Sequence, residues 1–309
     1  MKKKRKFLED TKKNEIFGRE IAPPQVDPEK CKGCGQCVKV CPALVFELKE
    51  MKSKVTYGRG CYACGHCWAV CPEEAVFQQE VATSTSIKPG PAPAVSPVAL
   101  QLLLRERRSI RLFKAEEVSK EQLRQVIDAG RFAPTASNRQ DVKYIVLFGS
   151  QNISALRSLV ESFMVKTFKA MQNRFVTFLY RIKHGSSAAD LLHHYAMAYQ
   201  FLKSSKEKNA YFPLPLGSAV IIVHARKFDR MAQFNCSIAL YNCSLMAHSM
   251  GLGSCFMGFV QIGGNMEQKI RQWLDIPKEN EVYGAIVVGH PDVTYRRLVE
   301  RRKPDIKWI

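Results

Sequence analysis

The stretch CKGCGQCVKVCP (31–42) returns thirty residues later as CYACGHCWAVCP (61–72). Cys31, Cys34, Cys37 and Cys41 fall on Cys61, Cys64, Cys67 and Cys71, and Gly35/Gly65, Val40/Val70 and Pro42/Pro72 repeat at the same offset. The segment is an internal duplication of one small unit, C-x2-C-x2-C-x3-C-P. Taken alone, the CGHC at Cys64–Cys67 would suit a redox dithiol, but a dithiol has no use for the other six cysteines in register. Structural zinc sites use separated C-x2-C pairs to build a tetrahedron, and a third cysteine at the same spacing before Cys-Pro is a different pattern.

Eight thiolates in two matching sets read as ligands for two 4Fe-4S clusters. Three closely spaced cysteines wrap one corner of a cube while the fourth points away. In two-cluster ferredoxins that fourth cysteine ligates the other cluster. The resemblance implies that Cys31, Cys34, Cys37 and Cys71 hold one cluster, and Cys61, Cys64, Cys67 and Cys41 the second. Small residues between ligands let backbone N–H groups turn toward sulfur. Cys236, Cys243 and Cys255 lie outside the repeat, and the first two read as small core residues of an apolar helix.

The 309 residues leave room for a second domain, and 46% hydrophobic with 24% charged residues is a globular balance. Apolar runs such as SAVIIVHA (218–225) are strand-length, so no membrane insertion is expected. MKKKRKF leads into polar sequence rather than an apolar signal core, which points to the cytoplasm and to thiols used for metal ligation. The net charge of +19 suits an acidic electron carrier, but charge runs are more often a solvated surface. No helix-turn-helix, RNP string or zinc-finger spacing accompanies it, so nucleic acid is not expected as a partner.

Composition divides the chain into a basic lead-in (1–25), the cysteine domain (26–80), a Pro/Ser/Thr-rich linker (81–97) and a larger domain (98–309). In the last, Ser96-Pro97 caps VALQLLLRER, and Ser119 with Gln122 forms a capping box before a helix that Gly130 is expected to stop. VKYIVLF (142–148), SAVIIVHA and VYGAIVVG (282–289) read as strands. Residues 151–210 read as amphipathic helices with breaks at HGSS (184–187) and KEKNA (206–210). MAQFNCSIALYNCSLMAHSM (231–250) is apolar all round, as an interior helix is, and NMEQKIRQWL (265–274) reads as one helix.

Four pieces of this domain carry chemistry. Arg107, Arg108, Ser109 and Arg111 crowd into RRSIR, a cost best met by a phosphate. APTASNRQ (133–140) offers amides and hydroxyls to a flat heteroaromatic edge or a ribityl chain. GLGSCFMGF (251–259) lets backbone approach a ligand over an apolar floor. It fails as a dinucleotide fingerprint in spacing and context. GHPDVTYRR (289–297) sets further arginines after a strand. Together these resemble the FMN-dependent nitroreductase family, in its members fused to an N-terminal ferredoxin.

The resemblance implies an α+β fold: a small two-cluster ferredoxin domain, then a nitroreductase-like domain with a central mixed sheet flanked by helices. It implies that Arg107, Arg108, Ser109 and Arg111 bind the FMN phosphate. Pro134, Thr135, Ala136, Ser137, Asn138 and Gln140 would contact ribityl and ring. Ser254, Cys255, Phe256, Met257 and Gly258 would lie beside the isoalloxazine, and Arg297 or Arg296 on the phosphate side. Asp141 and Ala136 depart from the family's usual proline and serine. The expected protein is a homodimer passing electrons from reduced ferredoxin or NAD(P)H through two clusters to FMN, and on to an electron-poor organic acceptor such as a nitroaromatic or quinone. A relay to a protein partner, enone reduction, dehalogenation and flavin fragmentation remain alternatives. No catalytic acid is named; His193, His194 and Tyr195 read as structural because neighbours on a helix point apart.

Overall fold

The computed structural model describes residues 14–16, 19–81, 90, 94–185, 197, 199–201, 203–204, 214–215 and 217–309. The KKKRK tail, most of the 81–97 linker, KEKNA and His193–Tyr195 lie outside them. The chain divides into two compact units. One is Met1–Ala94 with Thr135–Gln140, and the other is Val95–Pro134 with Asp141–Ile309.

In the first unit β1 (Asn14–Ile16) pairs antiparallel with β2 (Arg19–Ile21), and β3 (Gln25–Val26) pairs with β6 (Val76–Phe77). The hairpin of β4 (Phe46–Lys49) and β5 (Lys52–Val55) lies between the two cysteine motifs. Short helices α1 (Gln36–Val40) and α2 (His66–Ala69) each start after a left-handed glycine, Gly35 at φ 70° and Gly65 at φ 75°. The duplication is thus conformational as well as chemical. Positive φ recurs at Gly33/Ala63 (71° and 50°) and at Leu44/Glu74 (53° and 48°), always thirty residues apart. At Gly33 a Cβ would strike the backbone of Met51, so only glycine fits there. The core joins Cys37, Cys61 and Cys67 to Val45, Phe46, Ala63 and Val76. Ile21 joins it too, so the lead-in is no mere preface from β2 onward. Gln78 Nε2 donates to Ala22 O (3.1 Å) and Ala22 N donates to Glu80 Oε1 (2.8 Å), tying the two ends of the unit together.

The second unit is a helix–sheet–helix sandwich. It opens with α3 (Pro97–Glu106), where Ser96 Oγ accepts from Ala99 N and Pro97 takes the first helical position. Next comes α4 (Lys120–Arg131) with the expected capping box. The sheet has strand order β7-β8-β10-β9: β7 (Lys143–Phe148), β8 (Ala219–Arg226), β9 (Gly253–Phe256) and β10 (Asn280–Gly289). These four pair antiparallel throughout. The parallel component of the sheet is the bridge Ser109–Ser254 on its β9 edge. Between the strands run α5 (Ser150–Met171), α6 (Arg174–His184), α7 (Ala232–Ser249), α8 (Gly258–Met266) and α9 (Gln268–Trp273).

Strand alternation assigns the two faces. Val220 and Ile222 of β8 point to Ile153, Leu156, Val160 and Met164 of α5, while Ile221 and Val223 point to Leu123 and Val126 of α4 and Cys236, Leu240 and Cys243 of α7. In β10 the parity slips: Val282 shares a face with Ala285 and Val287, because a bulge sits between Val282 and Gly284. Each fully buried leucine or isoleucine contributes roughly 1.5–3 kcal/mol.

Three expectations are revised. Gly130 does not stop its helix but lies inside α4, where a Cβ would meet Cys243 Sγ at 2.6 Å and the Tyr144 hydroxyl at 2.8 Å. Close approach of α4 to α7, not a left-handed turn, is what requires it. NMEQKIRQWL is not one helix: Glu267 is extended and separates α8 from α9. A break arises at Asn173, whose Oδ1 caps α6 by accepting from Phe175 N (2.9 Å). Among the described residues no helix is long and apolar enough to cross a membrane.

Candidate functional site

The eight repeat cysteines gather around two cavities of the first unit. One is lined by Cys61, Cys64, Cys67 and Cys41, closed by Pro24, Val45 and Phe46. The other is lined by Cys31, Cys34, Cys37 and Cys71, with Ser53 and Val76. Each cavity therefore takes its fourth cysteine from the other motif, as the two-cluster arrangement requires. All are free thiols. Among the described residues no group of three or more His, Cys, Asp or Glu side chains is close enough to hold a single metal ion.

Burial pushes the Cys67 thiol up to about 12, with Cys61 beside it adding to the effect. Burial likewise pushes Cys61 up to about 11. Bare, these two thiols are weak acids at neutral pH, so a bound cluster would have to supply the positive charge that holds them as thiolates. Donors already face the sulfurs. Ala63 N reaches Cys61 Sγ (3.3 Å), Val45 N reaches Cys41 Sγ (3.4 Å), and Ala75 N reaches Cys71 Sγ (3.3 Å). Ser53 was not marked by the sequence, yet it is buried with Oγ 3.1 Å from Cys37 Sγ and N 3.5 Å from Cys31 Sγ. A ligating thiolate only accepts, so the Ser53 hydroxyl donates there. Ser53→Ala is expected to shift the potential of the Cys31-side cluster to more negative values by roughly 30–60 mV, since about 59 mV is tenfold for one electron. An EPR-monitored redox titration reads this, with the other cluster unmoved.

In the second unit the chain after α3 runs beside β9. Ser109 bridges Ser254, Ile110 N donates to Ser254 O (3.0 Å), and the Ile110 side chain fills the space a Cβ on Gly253 would need. Phe113 bridges Pro291, bringing the start of GHPDVTYRR alongside. Three of the four pieces thus meet at one sheet edge. The Nε of Arg107 is buried there without a hydrogen-bond partner. Around Cys255 burial dominates and raises the thiol, while Arg111, the Ser109 hydroxyl and Arg107 pull it back. Arg111, the Ser109 hydroxyl and Arg107 are thus all felt at the Cys255 thiol, whose ionisation burial opposes. Arg108 is engaged elsewhere, its guanidinium 5.3 Å from the Tyr295 ring centroid. Ser254 Oγ pairs with buried Ser244 of α7 at 2.8 Å, a partner that the sequence did not flag. Cys255 and Met257 turn into the core, while Phe256, Gly258, Arg296 and Arg297 are exposed. An orphaned guanidinium nitrogen beside Ser109 and Arg111 fits the phosphate end of FMN.

APTASNRQ behaves differently. Pro134 belongs to the second unit, but Thr135, Ala136, Ser137, Asn138 and Gln140 belong to the first. The amide of Asn138 donates to Ala63 O (2.8 Å) and Tyr62 O (3.2 Å), inside the C-x2-C loop that begins at Cys61. Its Oδ1 accepts from Gln140 Nε2 (3.1 Å). Ser137, Asn138 and Gln140 stand at φ 52°, 50° and 50°, with right-handed Arg139 between them; left-handed non-glycine residues cost of order 1–3 kcal/mol each and persist only where neighbours enforce them.

Two cysteine cages in one unit and a phosphate-ready edge in the other define a redox protein of the iron–sulfur type. Comparison with known proteins narrows this. The model of the nitroreductase family matches residues 104–290, and that of the 4Fe-4S dicluster domain matches 23–72. A protein of Archaeoglobus fulgidus named as an NADH dehydrogenase/NAD(P)H nitroreductase is 25% identical over 207 residues, covering 64% of this chain and 90% of that one. Ferredoxin-2 of Desulfomicrobium norvegicum is 57% identical over 28 residues, 9% of this chain and 48% of that one. The crystal structure of a nitroreductase with bound FMN from Bacteroides fragilis aligns with TM-score 0.49 at 15% identity, over 69% of this chain and 100% of that one. The chain belongs to the nitroreductase family, and with its dicluster domain it is an oxidoreductase that carries its own iron–sulfur module.

Proposed function

We propose that the protein is an FMN-dependent oxidoreductase that draws electrons through two 4Fe-4S clusters to FMN and reduces an electron-poor organic acceptor, such as a nitroaromatic or quinone. The observation that carries this reading is the cross-paired cysteine cages on the same chain as the unpartnered Arg107 Nε. When bound, the clusters supply single electrons and the flavin delivers them in pairs as hydride. The chain's own residues supply the rest. Arg107, Ser109 and Arg111 anchor a phosphate, Phe256 offers an exposed ring, and Ser53 with the backbone donors tunes the sulfurs. Reduced ferredoxin is the favoured donor because an acceptor module of matching chemistry is built in. NAD(P)H, named for the Archaeoglobus relative, is the alternative.

A homodimer is part of the reading. On α7 the buried face uses Ala232, Cys236, Ala239 and Cys243, while Phe234, Ile238 and Tyr241 form an exposed apolar stripe at helical spacing. A second copy covering that stripe would make the helix interior, as its sequence reads.

The test is an anaerobic preparation assayed for cofactors, then titrated with reduced ferredoxin in the presence and absence of nitroaromatic or quinone. About eight irons and one FMN per chain are expected, with flavin bleached by donor and restored by acceptor. An iron-free protein overturns the proposal. Flavin that reduces but is never reoxidised by a small acceptor gives the function to a protein relay instead.

A further inference from the structure

We infer that Asn138 is a positioning residue for the cluster of Cys61, Cys64, Cys67 and Cys41. Its amide orients and polarises the two peptide groups that lead from Tyr62 into Cys64, and so raises the reduction potential of that cluster while leaving its twin alone. The inference rests on the two-cluster reading above. It lies wholly within the first unit, of which Thr135–Gln140 is a part.

The contacts run through shared peptide groups. Asn138 Nδ2 donates to Ala63 O (2.8 Å) and Tyr62 O (3.2 Å). The Tyr62 carbonyl and the Ala63 N–H are two ends of one peptide group, and that N–H donates to Cys61 Sγ at 3.3 Å. The Ala63 carbonyl shares the next peptide group with the nitrogen of Cys64, itself a repeat cysteine of the same cavity. A donor on a carbonyl oxygen makes the N–H of that amide a better donor, by about 10–30% per bond in a chain of hydrogen bonds. A better donor at sulfur favours the more negative, reduced cluster. The same two bonds hold Ala63 at φ 50°, the left-handed turn that aims its N–H back at Cys61.

The Asn138 side chain is itself fixed. Its Oδ1 accepts from Gln140 Nε2 (3.1 Å), which leaves the nitrogen to face the carbonyls. Gln140 N donates to Thr135 Oγ1 (3.0 Å) and closes the loop on itself. Arg19 Nη1 donates to Arg139 O (2.9 Å) and Asn138 O (3.3 Å), which anchors the backbone in its left-handed path. In the first motif the side-chain donors come from the β4–β5 hairpin instead, with the Ser53 hydroxyl on Cys37 Sγ and Lys52 Nζ on Cys31 O (2.6 Å). The motifs match in sequence, but each is supported by a different segment. Two near-identical units thereby hold unequal clusters.

The test is an EPR-monitored redox titration of the full-length, anaerobic holoprotein, with iron measured on the same samples. Asn138→Gly removes the donor and suits φ 50°, so the loop keeps its path. It is expected to disfavour reduction of the Cys61-side cluster by roughly two- to fivefold, about 20–40 mV more negative at about 59 mV per tenfold. Iron content and the other potential stay as in wild type. Asn138→Gln, which keeps the donor on a longer arm, is expected to recover part of the shift. Ser53→Ala identifies the signal of the Cys31-side cluster. Should Asn138→Gly lose iron, Arg19→Met removes the anchor instead and is expected to shift the same cluster in the same direction. Full iron with both potentials unmoved overturns the inference and leaves the functional reading standing. So does an equal shift of both clusters, or a shift confined to the Cys31-side cluster. Loss of iron in both variants makes the loop a prop of the cage rather than a tuner, and overturns it as well. A wild-type protein that binds no clusters brings down the functional reading, and the inference with it.

Discussion

Exchanging Cys41 for alanine is expected to empty the cavity of Cys61, Cys64 and Cys67, and to leave the cluster nearest to Cys41 in sequence intact. Iron then falls from about eight per chain to about four, unless the open corner keeps a smaller cluster. The reason is spatial. Cys41 lines the cavity of the second motif, and Cys71 that of the first. In the Cys61-side cavity burial drives the Cys61 and Cys67 thiols up to about 11 and about 12, so these two resist ionisation around a cube that has lost one ligand's anchoring. Cys71→Ala is expected to give the mirror result. Both variants retain four irons, so iron content alone does not say which cluster survives. The Ser53 hydroxyl does, since it touches only Cys37 Sγ among the ligands. Ser53→Ala added to Cys41→Ala shifts the surviving potential, whereas added to Cys71→Ala it does not. The opposite pattern would mean that each motif keeps its own fourth ligand.

Much of this was legible in the chain because the ligands are local in sequence. Cys31, Cys34 and Cys37 announce a corner by spacing alone, and a register of thirty residues announces its twin. Strands β8 and β10 and the caps at Ser96 and Ser119 are likewise short-range signals. What escaped is tertiary. Gly130 reads as a stop in one dimension, but its role is set by Cys243 and Tyr144, which are distant in sequence. Ser53 reaches Cys37 only because the β4–β5 hairpin folds back. Asn138 reads as a flavin contact by family likeness, and nothing in the sequence marks the hydrogen bonds its amide donates to the Tyr62 and Ala63 carbonyls. No pattern near residue 138 encodes a partner near residue 63. The break at Asn173 was legible in principle, since asparagine is a strong cap, but helical periodicity on both sides hid it.

Arg107→Ala is expected to weaken FMN binding by about a hundredfold, the equivalent of the roughly 1.5–3 kcal/mol that a hydrogen bond to a charged group contributes. Fluorescence titration of the apoprotein with FMN measures it. Arg107 is singled out over its neighbours because its Nε is buried with no hydrogen-bond partner among the described residues, and a polar nitrogen held that way is costly until an anion arrives. Arg108 already leans on Tyr295, so Arg108→Ala is expected to cost less than about tenfold. Arg107→Lys keeps the charge but loses the planar fork, and recovers only part of the affinity. The same physics reverses sign without the cofactor. Without the cofactor the buried Nε has no acceptor among the described residues, so apo Arg107→Ala is expected to melt no lower than apo wild type, while at saturating FMN the wild type melts higher. A variant that lowers both melting temperatures equally would make Arg107 a structural residue, and the phosphate would then have to be sought at Arg111 and the exposed Arg296 and Arg297.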